Sequence, residues 1–340
     1  MFDNQPLVSI VMPIYNQQAY LSRSLRDACN QNYHKIEIVA VNDGSTDDSL
    51  DILRQASNED NRIVVVNQAN GGLIAANVAG IKNASGEYIC FVDPDDRIGP
   101  DFVESFVQLL DGEYDFVAQG FVYKYPDRVV PFPLRNDSIF NESDLRQLAD
   151  SYILDSKLAL DNTIFVARWN KMYKRDCLNS FVNEYFESKR VSLGEDSLFT
   201  YLLLMHASSA KVCARICSYQ YVQHERSMMR SNNWHRALEK TQITYSYFSE
   251  IVSRYPSGEN AAYYLLYALG SGLLGTTMRS SYLEGRKLYR NLQADEAYKH
   301  SVKLVVGHSG MHNVNALLQY IGVPSWLYAL ARGIYSFFHK

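Results

Sequence analysis

Glu87 to Asp96 reads EYICFVDPDD. Residues 88–92 make a short apolar run rich in aromatic and β-branched side chains, the pattern of a buried strand, and three carboxylates, Asp93, Asp95 and Asp96, follow within four positions. Like charges held so close are costly unless a cation or water neutralises them. The ordinary alternative is an acidic turn, because Asp and Pro favour turns and Asp95 or Asp96 would serve as cap to a helix starting near Pro100. The flanking sequence decides between them.

Upstream, LVSIVM (7–12), IEIVAV (36–41) and RIVVV (62–66) repeat the strand pattern, each bounded by Asn, Asp, Gly or Pro. Between them run helical spacings: Leu21, Leu25, Ala28 and Cys29 after the first, and Leu50, Leu53 and Arg54 after the second, with Thr46 or Asp47 as cap. Strands alternating with helices predict βαβ units around a mainly parallel, Rossmann-like sheet flanked by helices. DFVAQGFVYKY (115–125) predicts two further strands, residues 141–207 read as mostly helical, and KVCARI (211–216) and SYQYVQH (218–224) read as two strands. From about His235 the pattern is helical. The domain expectation is therefore a catalytic domain over 1–234, with a nucleotide-binding half (1–120) and an acceptor half (121–234), followed by a helical region over 235–340.

The chain has 340 residues, enough for one large core and a smaller one, and its 47% hydrophobic and 21% charged composition is that of a globular protein. A net charge of −4 argues against general nucleic-acid binding. The charge is uneven: residues 271–340 hold eight Lys and Arg against three acids, a balance of +5 that leaves −9 for the rest. A basic, aromatic tail on an acidic body fits contact with an anionic surface such as a membrane, or packing on the chain's own core or a second copy. VPSWLYALARGIYSFFHK (323–340) has the face pattern for that role. Asn260 to Met278 carries no charge over 19 residues, but its Tyr, Gly, Ser and Thr content predicts a packed helix rather than a membrane span. Five cysteines without a CxxC pair predict reduced thiols, and the amino terminus lacks a signal-peptide pattern, so the expected location is the cytoplasm, peripheral to its membrane if the tail binds there.

Three short stretches fall at the carboxyl ends of predicted strands, where open α/β sheets bind ligands: PIYN (13–16), NDGSTD (42–47) and DPDD (93–96). Asp43 offers an acceptor for a nucleobase N–H, and Tyr15 a ring for stacking. Taken in order with NGGLIAANVAGI, WNKMYKRD and GEDSLF, these stretches resemble the family 2 glycosyltransferases of the GT-A fold, over Leu7 to about Arg230.

The resemblance implies an inverting transferase that moves a hexose or N-acetylhexosamine from a UDP-sugar to a hydroxyl of a glycan or lipid-linked acceptor in bacterial surface-polysaccharide synthesis. It implies that Asp43 holds the uracil, that Pro13 and Tyr15 line the base pocket with Asn16 beside them, and that Asp93 and Asp95 meet ribose and a divalent cation, Mn2+ or Mg2+, with Asp96 ranked behind them. Asp196 matches the general base, with Glu195 in support; otherwise the two acids simply favour the first turn of the helix that follows. Trp169 and Lys171 match a stretch beneath the acceptor site, though Trp169 fits core packing equally. His224, Arg226 and Ser227 match a segment that closes over the pyrophosphate.

One departure stands out. Asn77 occupies a position in the nucleotide-binding part where relatives often carry Arg, and it supplies neither the charge nor the fork geometry of a guanidinium. Two other readings stay open: a nucleotidyltransferase that makes the donor, which would call for a Gly-rich basic loop after the first strand, and a silent nucleotide-sugar-binding scaffold.

Overall fold

The computed structural model describes residues 5–157, 164–223, 233–255 and 259–309, together with Ala316 and Gln319. The chain divides into two compact units, one of residues 1–149 and 162–224, the other of 150–161 and 225–340.

The first unit opens with alternating elements: β1 (Val8–Ile14), α1 (Gln18–Cys29), β2 (Ile36–Asp43), α2 (Ser49–Glu59), β3 (Ile63–Gln68), α3 (Leu73–Asn83) and β4 (Tyr88–Phe91). These are the four strands read from the sequence, and they pair in parallel in the order β3-β2-β1-β4. β1, β2 and β4 are covered on both faces, which is why they are almost continuously apolar, whereas β3 at the edge leaves Val64 39% exposed. Ile10 and Met12 of β1 share a core with Leu21, Leu25 and Leu53 of the first two helices. Val11 points the other way, onto Gly80 of α3. Asp47, expected as a cap, accepts the Ser49 N–H at 3.0 Å just ahead of α2.

The chain continues through β5 (Arg97–Ile98), α4 (Phe102–Val107), β6 (Phe116–Lys124), β7 (Val129–Phe132), β8 (Ser138–Asn141), α5 (Glu142–Lys157), β9 (Lys171–Lys174), α6 (Arg175–Glu187), α7 (Glu195–His206) and β10 (Ser209–Val222). The ten-stranded sheet runs β3-β2-β1-β4-β9-β6-β10-β5, with β7 beside β6 and β8 beside β10. Three expectations change here. Residues 115–125 give one strand, β6, because its pairing with β9 and β10 is uninterrupted by a turn. The stretch 211–224 gives one strand, whose register with β6 slips between Cys213 and Ile216 and again before Gln220, so a bulged strand stands where two were read. The helical reading of 141–207 misses β9, which lies antiparallel between β4 and β6.

That insertion matters for the site. Because β9 runs against β4, its first residue lies at the carboxyl end of β4, where Cys90 pairs with Met172. Residues just before β9 are thereby carried to Asp93.

The second unit is helical in its described part: α8 (Trp234–Val252), α9 (Glu259–Ser280), α10 (Tyr282–Ala294) and α11 (Glu296–Ser309). α9 contains the uncharged stretch 260–278, and Ala261, Leu265, Leu266, Tyr267 and Leu274 on it are buried. Tyr298 of α11 lies against Gly270 and stacks on Tyr267 at 6.4 Å. Among the described residues no helix is long and apolar enough to cross a membrane. The carboxyl-terminal segment 323–340 lies outside the described residues.

Candidate active site

Loops after β1, β2 and β3 are stitched to one another by side chains. Asn16, the one non-glycine with positive φ (54°) among the described residues, accepts the Thr46 N–H at 2.8 Å and donates its own N–H to Ser45 at 3.0 Å. The neighbouring Tyr15 is 48% exposed, its ring open for stacking, while Pro13 is buried within β1. Asp43 is 2% exposed at the end of β2. Its Oδ1 accepts Gln68 Nε2 at 2.7 Å and the Gly71 N–H at 2.9 Å, and its Oδ2 accepts the Gly72 N–H at 2.8 Å. One acceptor direction on Oδ2 remains. Gly44 closes this corner with φ of 69°, and any Cβ there would meet Asn70 N at 2.6 Å, so only glycine fits.

The turn after β4 is fixed from three sides. Arg23 of α1 donates to Asp95 O at 3.1 Å. The Tyr219 hydroxyl of β10 accepts the Asp93 N–H at 3.3 Å and donates to Asp96 Oδ2 at 2.7 Å, while Asp96 Oδ1 accepts the Val222 N–H at 2.7 Å. Asp96 is 1% exposed, and burial pushes its carboxyl well above the usual range. Its carboxylate is thus spent on tying the turn to β10. It does not cap a helix, since α4 starts only at Phe102.

At the other side of the site, Gly194 takes φ of 80° and starts α7 with Glu195 and Asp196 in its first turn. Asp196 forms a close ion pair with Arg168, a residue buried to 2% exposure in the segment before β9. Asp93, Asp95, Glu195 and Asp196 thus form one acidic group, with the buried Arg168 guanidinium among them. Burial raises the Asp93 carboxyl to about 7; Arg168 opposes the rise, and Asp95, Asp196 and Glu195 add to it.

Residues 9–181 match the family model described as glycosyl transferase family 2, about half of the chain. The chain belongs to glycosyl transferase family 2. It is 30% identical over 229 residues to the glycosyltransferase GlyG of Streptococcus pneumoniae serotype 4, covering 66% of this chain and 73% of that one. It is 32% identical over 196 residues to the putative glycosyltransferase EpsH of Bacillus subtilis, covering 58% of this chain and 55% of the relative, so it spans about half the length of that protein. In shape it is similar to the crystal structure of S. aureus TarS 1-349 in complex with UDP-GlcNAc, with TM-score 0.65 over 96% of this chain and 91% of that chain, at 18% identity. The likeness is one of fold, the GT-A fold.

Against the family expectations, the structure brings Asp93, Asp95, Glu195 and Asp196 together and leaves Tyr15 open beside Asn16. It turns others inward. Lys171 is fully buried, and its ammonium donates to Phe165 O, Ala167 O and Asn170 Oδ1 at 2.5–2.8 Å, so no donor is left for an acceptor or a phosphate. Trp169 is 4% exposed, stacked on Tyr219 at 4.3 Å and edge-on to Phe121 at 4.5 Å, which makes it a core platform under the turn that Tyr219 holds. Asn77 is fully buried on α3, close to Tyr185. His224, Arg226 and Ser227 lie outside the described residues.

Arg168 escaped the sequence reading, although a signal was present. IFVARWNKMY (164–173) reads as apolar packing, and a basic residue inside such a run needs a buried acid to pair with. The acidic group fits a hard divalent cation in charge and in donor type. Among the described residues no three His, Cys, Asp or Glu side chains are grouped so as to hold a metal by themselves.

Proposed function

We propose that this chain is an inverting glycosyltransferase that transfers a hexose or N-acetylhexosamine from a UDP-sugar to a hydroxyl of a lipid-linked glycan in the synthesis of a bacterial surface polysaccharide. The observation that carries this reading is the acidic group: two carboxylates after β4 and two at the start of α7, with buried Arg168 paired to Asp196. Tyr15 stacks on the base, Asn16 supports that loop, and the open acceptor direction of Asp43 Oδ2 takes the base N–H. Asp93 and Asp95 hold the cation, Mn2+ or Mg2+. When bound, it neutralises charge on the departing diphosphate. Asp196, 29% exposed at its side chain, takes the proton of the attacking acceptor hydroxyl, a role worth ~10²–10⁴-fold in rate. The UDP-GlcNAc complex of S. aureus TarS supports a UDP-sugar donor. A membrane-facing role for the basic helical region suits a lipid-linked acceptor.

The test is UDP release from UDP-glucose, UDP-galactose and their N-acetyl forms, with a synthetic lipid-diphosphate-sugar acceptor and with or without Mn2+. Wild type turns over only with metal, Asp95→Ala loses metal-dependent turnover, and Asp196→Asn falls by ~10²-fold or more. Metal-independent turnover, or full activity of Asp196→Asn, would refute the reading.

A further inference from the structure

The segment before β9 is held with unusual completeness. Four successive carbonyls each accept a hydrogen bond from a buried side chain. Lys171 Nζ donates to Phe165 O and Ala167 O, the Thr200 hydroxyl to Val166 O at 2.9 Å, and the Tyr173 hydroxyl to Arg168 O at 2.8 Å. The last residue of this strap is Arg168, whose side chain is 3% exposed and ion-paired with Asp196. Asp196 itself stays 29% exposed, so one side of its carboxylate is occupied by the guanidinium and the rest is open. Thr200 lies on α7, one turn after Asp196, so the strap and the helix carrying the carboxylate are fastened at two points.

We propose that Arg168 is a positioning residue for the transfer: anchored by the strap, its guanidinium fixes the orientation of the Asp196 carboxylate and leaves the open oxygen to the acceptor hydroxyl. This rests on the reading of Asp196 as the base. A buried guanidinium is suited to the task because its charge is held against one oxygen of the carboxylate, Nη1 to Oδ1, by a side chain with little entropy left to lose. Its burial separates this role from direct phosphate binding, which needs an accessible guanidinium. Orientation of a base is worth having, since a misplacement of ~1 Å can cost ~10²-fold in rate.

The experiment measures kcat, the donor KM and the Kd of UDP with Mn2+ for wild type, Arg168→Met, Arg168→Lys, Asp196→Asn and Arg168→Met/Asp196→Asn. Thermal melting of each variant accompanies the kinetics. Measured at a pH well above the Asp93 value, where that carboxyl is ionised with or without Arg168, Arg168→Met should lower kcat by ~10²-fold with the donor KM and the UDP Kd within about threefold of wild type, and Arg168→Lys should recover part of the loss. The double variant should be no slower than Asp196→Asn, because both changes act through one carboxylate. Tyr173→Phe, which frees only the Arg168 carbonyl, provides a milder case: a fall in kcat of ~10-fold at unchanged UDP affinity, and it decides the matter if Arg168→Met does not fold. Kinetic losses that add in the double variant, a UDP Kd weakened more than about tenfold in Arg168→Met, or an unchanged kcat in folded Arg168→Met or Tyr173→Phe would overturn the proposal while leaving the transferase reading intact. A wild type inactive toward every donor would overturn that reading, and the proposal with it.

Discussion

Asp93 shows how one residue couples the chemistry of the site to pH. Burial lifts its carboxyl from the ordinary 3.8 to about 7, with Asp95, Asp196 and Glu195 adding to the rise and Arg168 resisting it. A cation binds the carboxylate and not the acid, so binding below that value must expel a proton. Affinity for Mn2+ with UDP should therefore weaken by up to tenfold for each pH unit below about 7, and lose its dependence on this group above it. Calorimetry at pH ~6 and ~8 in buffers of different ionisation enthalpy should give release of close to one proton at the lower pH and almost none at the higher. Equal affinity and no proton release at both would contradict it. The sign for folding is opposite. A carboxyl raised in the folded state favours folding fully below its unfolded value near 3.8, and that contribution is lost as pH climbs through about 7, so in this respect the metal-free protein is more stable at mildly acidic pH. Asp96, three positions on, is the same residue type, but its two oxygens are engaged by the Tyr219 hydroxyl and the Val222 N–H. Nothing in DPDD distinguishes the two acids, because the distinction comes from β10, more than a hundred residues away.

Among the elements, what was legible depended on whether local pattern or distant pairing made the strand. β1, β2 and β4 announce themselves because strands covered on both faces must be apolar at nearly every position, and β3 through its run of β-branched residues although it is half exposed. β9 is only Lys171–Lys174, with a lysine at each end, and it exists because β4 and β6 leave a slot between them. Its buried Lys171 defies the usual rule for strands and is tolerated through three carbonyl-type acceptors. The acidic pair of α7 was legible as a motif, whereas Arg168, its partner, was not, since the ion pair is long-range in the fold. α3 offers a test of how tightly these layers fit. Gly80 lies against β1 so closely that an added Cβ would collide with Val11 Cγ1. In Gly80→Ala, better helix propensity contributes ~1 kcal/mol, while overpacking costs ~1–3 kcal/mol, so the net should be a loss of ~1 kcal/mol. Val11→Ala removes the colliding methyl, so Gly80→Ala should stabilise that background by ~0.5–1 kcal/mol. Urea unfolding of the four proteins measures the coupling, and equal effects of Gly80→Ala in both backgrounds would show that the contact is not tight.

At the level of the whole chain, charge is distributed against the average. The net −4 combines a +5 balance over residues 271–340 with −9 elsewhere, and the described helices show where part of that positive charge sits. On α10, Arg286, Lys287 and Arg290 are exposed along one face, and Leu283, 67% exposed, continues the same stripe one turn earlier. Leu288 and Leu292 face the interior, so the helix is already docked by its apolar side and offers its basic side outward. Among the described residues Lys287 pairs with a local acid, Glu284 at 2.7 Å, and an exposed pair of this kind is worth little. Each exposed Lys or Arg near an anionic leaflet contributes ~1 kcal/mol, so the three together supply ~3 kcal/mol, with Leu283 adding an apolar contact. Vesicles rich in phosphatidylglycerol should therefore retain the protein in flotation at ~0.05 M salt and release most of it at ~0.5 M, where the Debye length falls to a few ångström. Phosphatidylcholine vesicles should retain little. Reversing the stripe with Arg286→Glu, Lys287→Glu and Arg290→Glu should weaken retention by ~10²-fold or more while donor hydrolysis by the soluble protein stays unchanged. Equal retention on neutral and anionic vesicles, or an unaffected triple variant, would assign the basic stripe to some partner other than a membrane.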